Sequence, residues 1–138
     1  MVYGKDLNQR TERIRHILSG HVTHLTKHNL KVEETEHHDF NVYQVEIDFL
    51  KYRITNTRTV FDQFVEIQKN NRDPKFFEDP ESELVQQVQH KILKEASKDK
   101  NLYKKFEKGE KQGAPLIISN DGFVIAGNRR LAAFRDLY

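Results

Sequence analysis

The segment Pro115-Leu116-Ile117-Ile118-Ser119-Asn120-Asp121-Gly122-Phe123-Val124-Ile125-Ala126-Gly127-Asn128-Arg129-Arg130-Leu131-Ala132-Ala133 restricts the fold more than any other part of the chain. Two apolar runs flank an Asp-Gly pair, which is the signal of a tight hairpin turn. A glycine at 127 then gives way to a helical pattern, so the order is strand, turn, strand, glycine turn, helix. The start of that helix is electrostatically unusual. Arg129 and Arg130 occupy its first turn, where the helix dipole already places positive partial charge. The conflict costs roughly 0.3 kcal/mol or more per charge and reverses when an anion sits there. A glycine lets the backbone come close, unpaired helix N–H groups point at the anion, and guanidinium forks grip it. This turn therefore predicts a phosphate site.

The rest of the chain supplies the elements around it. Residues 6–18 fit a helix with Leu7, Ile14, Ile17 and Leu18 on one side and Gly20 as its stop. Residues 21–39 carry many histidines and glutamates without a clear period and read as loop. Tyr43, Val45, Ile47 and Phe49 alternate with Gln44, Glu46 and Asp48, which predicts a half-buried strand. A polar loop, Tyr52–Arg58, follows. Val60, Phe61, Phe64, Val65 and Ile67 predict a helix of about three turns. Asp79-Pro80-Glu81-Ser82-Glu83 is a helix start, with a capping residue, proline at the first position and acids against the dipole. Leu84, Val88, Ile92 and Ala96 would form that helix's buried stripe, and Asn101–Phe106 a further short helix closed by Gly109. The expected class is α+β, with a small mixed sheet surrounded by helices. Residues 1–40 read as an N-terminal helix with a polar, His-rich extension, and residues 41–138 as the main domain. The final helix has no stop signal, which implies a natural protein continuing beyond Tyr138.

Composition narrows the function classes. A length of 138 residues suits one core. The absence of cysteine excludes disulfides and thiol chemistry and suits a cytoplasmic location. No apolar run is long enough to span a membrane, so no membrane partner is expected. The formal charge is +2, with the basic excess in the last third, downstream of residue 90. That bias suits phosphate-bearing ligands. Lysines 91, 94, 98, 104, 105 and 108 are interleaved with Glu95, Asp99, Glu107 and Glu110, as on a solvated helix face.

Three segments, taken together, resemble the N-terminal domain of the ParB/sulfiredoxin superfamily, often labelled ParB-like nuclease. They are Val45-Glu46-Ile47-Asp48-Phe49-Leu50 leading to Asn56 and Arg58; Gln112-Gly113-Ala114-Pro115-Leu116-Ile117-Ile118; and Gly127-Asn128-Arg129-Arg130 with Leu131-Ala132-Ala133. The third is the most specific, and the resemblance spans roughly residues 43–138. It implies a ParB/sulfiredoxin-like core in which Gly127, Asn128, Arg129 and Arg130 meet a nucleotide's phosphates, with Asn56 and Arg58 as the facing wall. A nucleoside triphosphate of the CTP or ATP class is the implied ligand, with Mg²⁺ as its companion ion. DNA is the implied distal partner, bound weakly or through regions beyond this chain. Asn128 stands where partition proteins usually have glutamate and sulfiredoxins have the catalytic cysteine. Sulfiredoxin chemistry is thereby excluded, and a metal-gripping carboxylate has become an amide.

Glu46, Asp48 and Asn128 remain the candidate catalytic residues for a metal-dependent nuclease or nucleoside triphosphatase. A third reading is an interaction domain with an empty pocket. His24 and His28 have the i, i+4 spacing of two ligands on one helix face, but no third ligand follows at a characteristic spacing, and no metal set is assigned.

Overall fold

The computed structural model describes residues 3–24, 26–33, 36–98 and 115–137. The first helix, α1 (Leu7–His16), opens on a capping box in which Asp6 and Gln9 each accept the other's backbone N–H. It runs on into a wide π-type turn, Ile17–His21, that Gly20 ends at φ +88°. Residues 21–39, expected as loop, instead contain two antiparallel strands, β1 (Thr26–Glu33) and β2 (Glu36–Val42), in register from Thr26↔Val42 to Lys31↔His37. The sequence hid them because neither strand carries the apolar alternation that marks one buried face. The same finding removes the helical basis for a His24/His28 ligand pair, since His28 lies within β1.

The expected strand at 43–49 is a second correction. Residues 43–46 belong to no strand, and Phe49 N–H closes a turn onto Glu46 O at 3.1 Å. The alternation was real as a burial pattern: Val45 and Ile47 pack against the core and Phe49 is buried within it. Period two measures which side chains face inward, and a strand needs a neighbour as well. Pairing begins at β3 (Lys51–Tyr52).

Two strands, β4 (Ile117–Ile118) and β5 (Phe123–Ala126), form the hairpin expected around Asp121-Gly122, with Gly122 at φ +81° in the turn. The strand order is β3-β5-β4. β5 is antiparallel to β4 and parallel to β3, through Lys51↔Phe123 and Tyr52↔Val124. This small mixed sheet and its helices make an α+β fold.

Helix α2 (Val60–Lys69) follows the polar loop, and α3 (Glu83–Lys98) follows the Pro80 turn. Ser82 caps α3: its carbonyl accepts from Gln86 N–H at 3.0 Å and its hydroxyl faces Val85 N–H at 3.4 Å. Asp79, expected as the cap with Pro80 at the first helical position, instead holds the preceding turn through Glu81 N–H, and the helix begins at Glu83. The buried face of α3 is rotated from expectation. It shows Val85, Val88 and Leu93 with Gln86, Gln89 and His90, while Leu84 is exposed. The amides explain this. Gln86 accepts from Tyr52 N–H at 2.8 Å and donates to Tyr52 O at 3.0 Å, serving as a ladder partner on the open edge of β3. The short helix expected at Asn101–Phe106 lies outside the described residues.

The last helix, α4 (Asn128–Leu137), packs on α3 and sends Leu131 and Ala132 into the core. One cluster of Ile14, Phe49, Leu50, Tyr52, Leu93, Val124, Leu131 and Ala132 forms the core, so α1 shares it with the sheet. Arg10 fastens α1 there. Its fully buried guanidinium forks onto Glu81 at 2.8 and 2.6 Å, donates to Asp121 O and Lys5 O, and lies 4.7 Å over the Phe123 ring. A side chain at Gly122 would meet Arg10 Cδ at 2.9 Å, so the hairpin turn is shaped around the arginine. Leu7 and Leu18, expected to face inward, are exposed.

Candidate anion site

Parallel pairing of β3 with β5 puts the C-terminal ends of both strands side by side. In mixed and parallel sheets that end is where ligands meet loops and helix N-termini. Here the loop after β3 and the turn after β5 are joined by a side-chain amide. Asn128, buried, accepts from Arg53 N–H at 3.1 Å through Oδ1 and donates to Val124 O at 2.9 Å through Nδ2. Both polar ends of Asn128 are thus committed to backbone, and its role is to hold the two segments together. This explains an asparagine at the start of α4, where a free side chain would be an ordinary cap.

Gly127 is the residue at the helix cap, with Leu131 N–H on its carbonyl at 3.0 Å. Its φ of +103° suits glycine, and a Cβ there would come within 2.3 Å of Leu116 Cδ2 and 3.0 Å of Arg130 Nη2. The Arg130 guanidinium therefore folds against the glycine. Arg129 is half-buried. Burial, and after it the positive charge of Arg58, holds its pKa below the ordinary arginine value. Like charges from two sequence-distant loops thus converge at the positive end of a helix.

The loop that presents Arg58 is built by Asn56. Its Oδ1 accepts Arg58 N–H at 3.0 Å, its own N–H reaches Ile54 O, and its carbonyl accepts Thr59 N–H. Thr59, buried, receives Gln89 Nε2 at 3.1 Å, which anchors the loop to α3. Asn56 thus shapes the wall, with its Oδ1 turned to the loop's own backbone. Arg53 was missed by sequence reasoning. Its backbone touches Asn128 and its exposed side chain adds charge at the same end of the sheet. The signal available was its place in the same polar loop as Arg58.

Glu46 and Asp48 lie at the other end. They precede β3 and pair with α1 or its approach: Glu46 with Arg13 at 3.5 Å, Asp48 with Lys5 at 3.3 Å. Arg135, near the C-terminus of α4, donates to Ile47 O in that same turn. The separation from Arg129 is most of the length of α4, roughly 10 Å at 1.5 Å per residue. The structure does not bring these carboxylates to the arginine turn. Among the described residues no group of three or more His, Asp or Glu side chains gathers as metal ligands. The donors at the turn do not fit a protein-held Mg²⁺ either, because Asn128 Oδ1 is occupied and its neighbours are guanidiniums.

A second polar network runs through the core, unsuspected from sequence. Tyr52 Oη lies 2.6 Å from His90 Nδ1, and His90 Nε2 lies 2.8 Å from Asp136 Oδ1. Tyr3 stacks on the imidazole at 4.4 Å, and Lys94 Nζ stands 3.8 Å from Asp136 Oδ2. Burial pushes the His90 pKa down, against a smaller upward pull from Asp136, and burial raises that of Tyr52. A neutral imidazole satisfies the chain, with Tyr52 donating to Nδ1 and Nε2–H donating to the carboxylate.

Among the described residues no helix is long and apolar enough to cross a membrane. Comparison with family models, curated proteins and solved structures returns no match for this chain. The ParB/sulfiredoxin resemblance therefore rests on the three sequence segments that carry it.

Proposed function

We propose that the chain binds a nucleoside triphosphate of the CTP or ATP class at the Gly127–Arg130 turn, with Arg58 as the facing cation, as part of a DNA-associated protein of the ParB-like kind. The observation that carries the reading is the Asn128 bridge, which fixes the loop carrying Arg53 and Arg58 beside the first turn of the helix carrying Arg129 and Arg130. Guanidiniums gathered at the positive end of a helix suit a polyanion, which they can grip through charged N–H donors. The glycine makes room for the Arg130 guanidinium and Leu116 beside the turn, and the amide of Asn128 fixes the spacing of the two loops. Mg²⁺ would then arrive on the phosphates rather than be held by carboxylates of the protein. Binding is the favoured reading over hydrolysis because Glu46 and Asp48 sit at the far end of the sheet. DNA contact by this chain alone would be weak and without sequence preference, resting on moderate charge.

The test is thermal denaturation of the intact chain with each of the four ribonucleoside triphosphates, with pyrophosphate and with sulfate, with and without Mg²⁺. A ligand at 100 times its Kd should stabilise by about 2.7 kcal/mol. Arg129→Ala and Arg58→Ala should each abolish that stabilisation. Arg58→Ala, at an exposed side chain, should leave the melting temperature of the unliganded protein unchanged. Absence of a shift with every phosphate compound at millimolar concentration, or a shift that survives both substitutions, would overturn the proposal.

A further inference from the structure

Helix α2 turns Gln63, Glu66 and the apolar Ile67 toward the protein. Gln63 Nε2 donates to Ile54 O at 2.8 Å and Gln89 Oε1 at 3.0 Å, and Glu66 accepts from Arg72 and Asn70. None of its residues is buried. Val60, Phe61, Phe64 and Val65 lie on one arc of the helix and are 55%, 74%, 58% and 40% exposed. Single exposed apolar residues are ordinary, but four adjoining ones with two phenylalanines mark a contact surface.

We infer that this face is where two copies of the chain associate through a twofold axis crossing α2 between residues 62 and 63. Antiparallel apposition there sets Phe61 of one copy against Phe64 of the other and Val60 against Val65. Each contact then occurs twice, as a closed isologous interface requires. Area supports a dimer of limited strength. The four side chains expose on the order of 400 Å² of apolar surface, taking a phenylalanine as roughly 200 Å². At the ~65% apolar share of homodimer interfaces this corresponds to about 1,200 Å² over both copies, the lower bound for a specific interface. Charge decides against a lipid surface. The flanks of the stripe carry Asp62, Glu66 and a single Lys69, whereas a membrane-lying helix is rich in Lys and Arg.

The experiment is sedimentation equilibrium of the intact chain from about 2 to 200 μM, the range in which an interface of this size should associate. It is run for wild type, Phe61→Glu and Phe64→Glu, with melting temperature measured in parallel. The expected result is a wild-type mass rising to that of a dimer, and variants that stay monomeric with unchanged melting temperature at low concentration. Wild type remaining monomeric throughout would overturn the inference, as would variants that dimerise like wild type. A monomeric wild type whose variants melt lower would also overturn it, assigning the face to a segment of the same chain.

Discussion

Removing the Arg10 side chain tests whether α1 is held by a buried charge or by its apolar residues. The guanidinium is fully buried and takes part in four hydrogen-bonded contacts: two to Glu81 and one each to Asp121 O and Lys5 O. Breaking a buried ion pair from one side costs about 3–5 kcal/mol, because the partner is left desolvated. Glu81 is 34% exposed at its side chain, so water can recover part of that loss and the lower end applies. Two backbone carbonyls also lose a charged donor, and the Phe123 ring loses its cover. The expected cost of Arg10→Ala is about 3 kcal/mol, which in a chain of this size lowers the melting temperature by roughly 10 °C. Glu81→Gln should cost about as much, roughly 3 kcal/mol, since it leaves the fully buried Arg10 without its counter-charge and turns an amide NH2 toward one of its N–H groups. Urea unfolding followed by circular dichroism gives both values, and the double variant gives their coupling. An Arg10→Ala cost below about 1 kcal/mol would refute the argument, because surface pairs reach that value without burial.

Two further predictions concern the amide bridge and the core histidine. Asn128→Ala leaves Arg53 N–H and Val124 O without their partner and should cost about 2 kcal/mol; Asn128→Glu should be worse, since it drives a carboxylate into a buried site facing a carbonyl, and a stability equal to wild type would show that the bridge is dispensable. For His90 the folded pKa lies below the ordinary 6.5, so the unfolded chain takes up the proton first as pH falls. The stability contributed by neutral His90 is complete above about pH 6.5 and is lost as pH drops through that value toward the folded pKa. The urea midpoint should fall between pH 7 and 5, and His90→Gln should flatten that slope; an identical slope in the variant would remove His90 as its cause.

The sequence alone determined the features written in short-range chemistry. The Asp121-Gly122 hairpin, the Gly127 turn, the helix start after Pro80, the helix carrying Arg129 and Arg130, and the α+β class follow from turn residues, caps and periodicity, which act over a few positions. The convergence of Arg58 with Arg129 follows from parallel pairing of two-residue β3 with β5, a long-range choice with no local signature. The resemblance suggested the pairing of those loops, but residue patterns could not. Polar core residues escaped for a related reason. Arg10, Gln86, Gln89, Asn128 and Arg135 are buried because each meets specific donors or acceptors from elsewhere in the chain. Apolar residues announce burial by themselves, whereas a polar residue is buried only when the fold supplies its partner. The same dependence set the face of α2: its amphipathic pattern predicted a helix correctly, but of the apolar stripe only Ile67 is half-buried, beside Gln63, whose amide meets Ile54 O and Gln89.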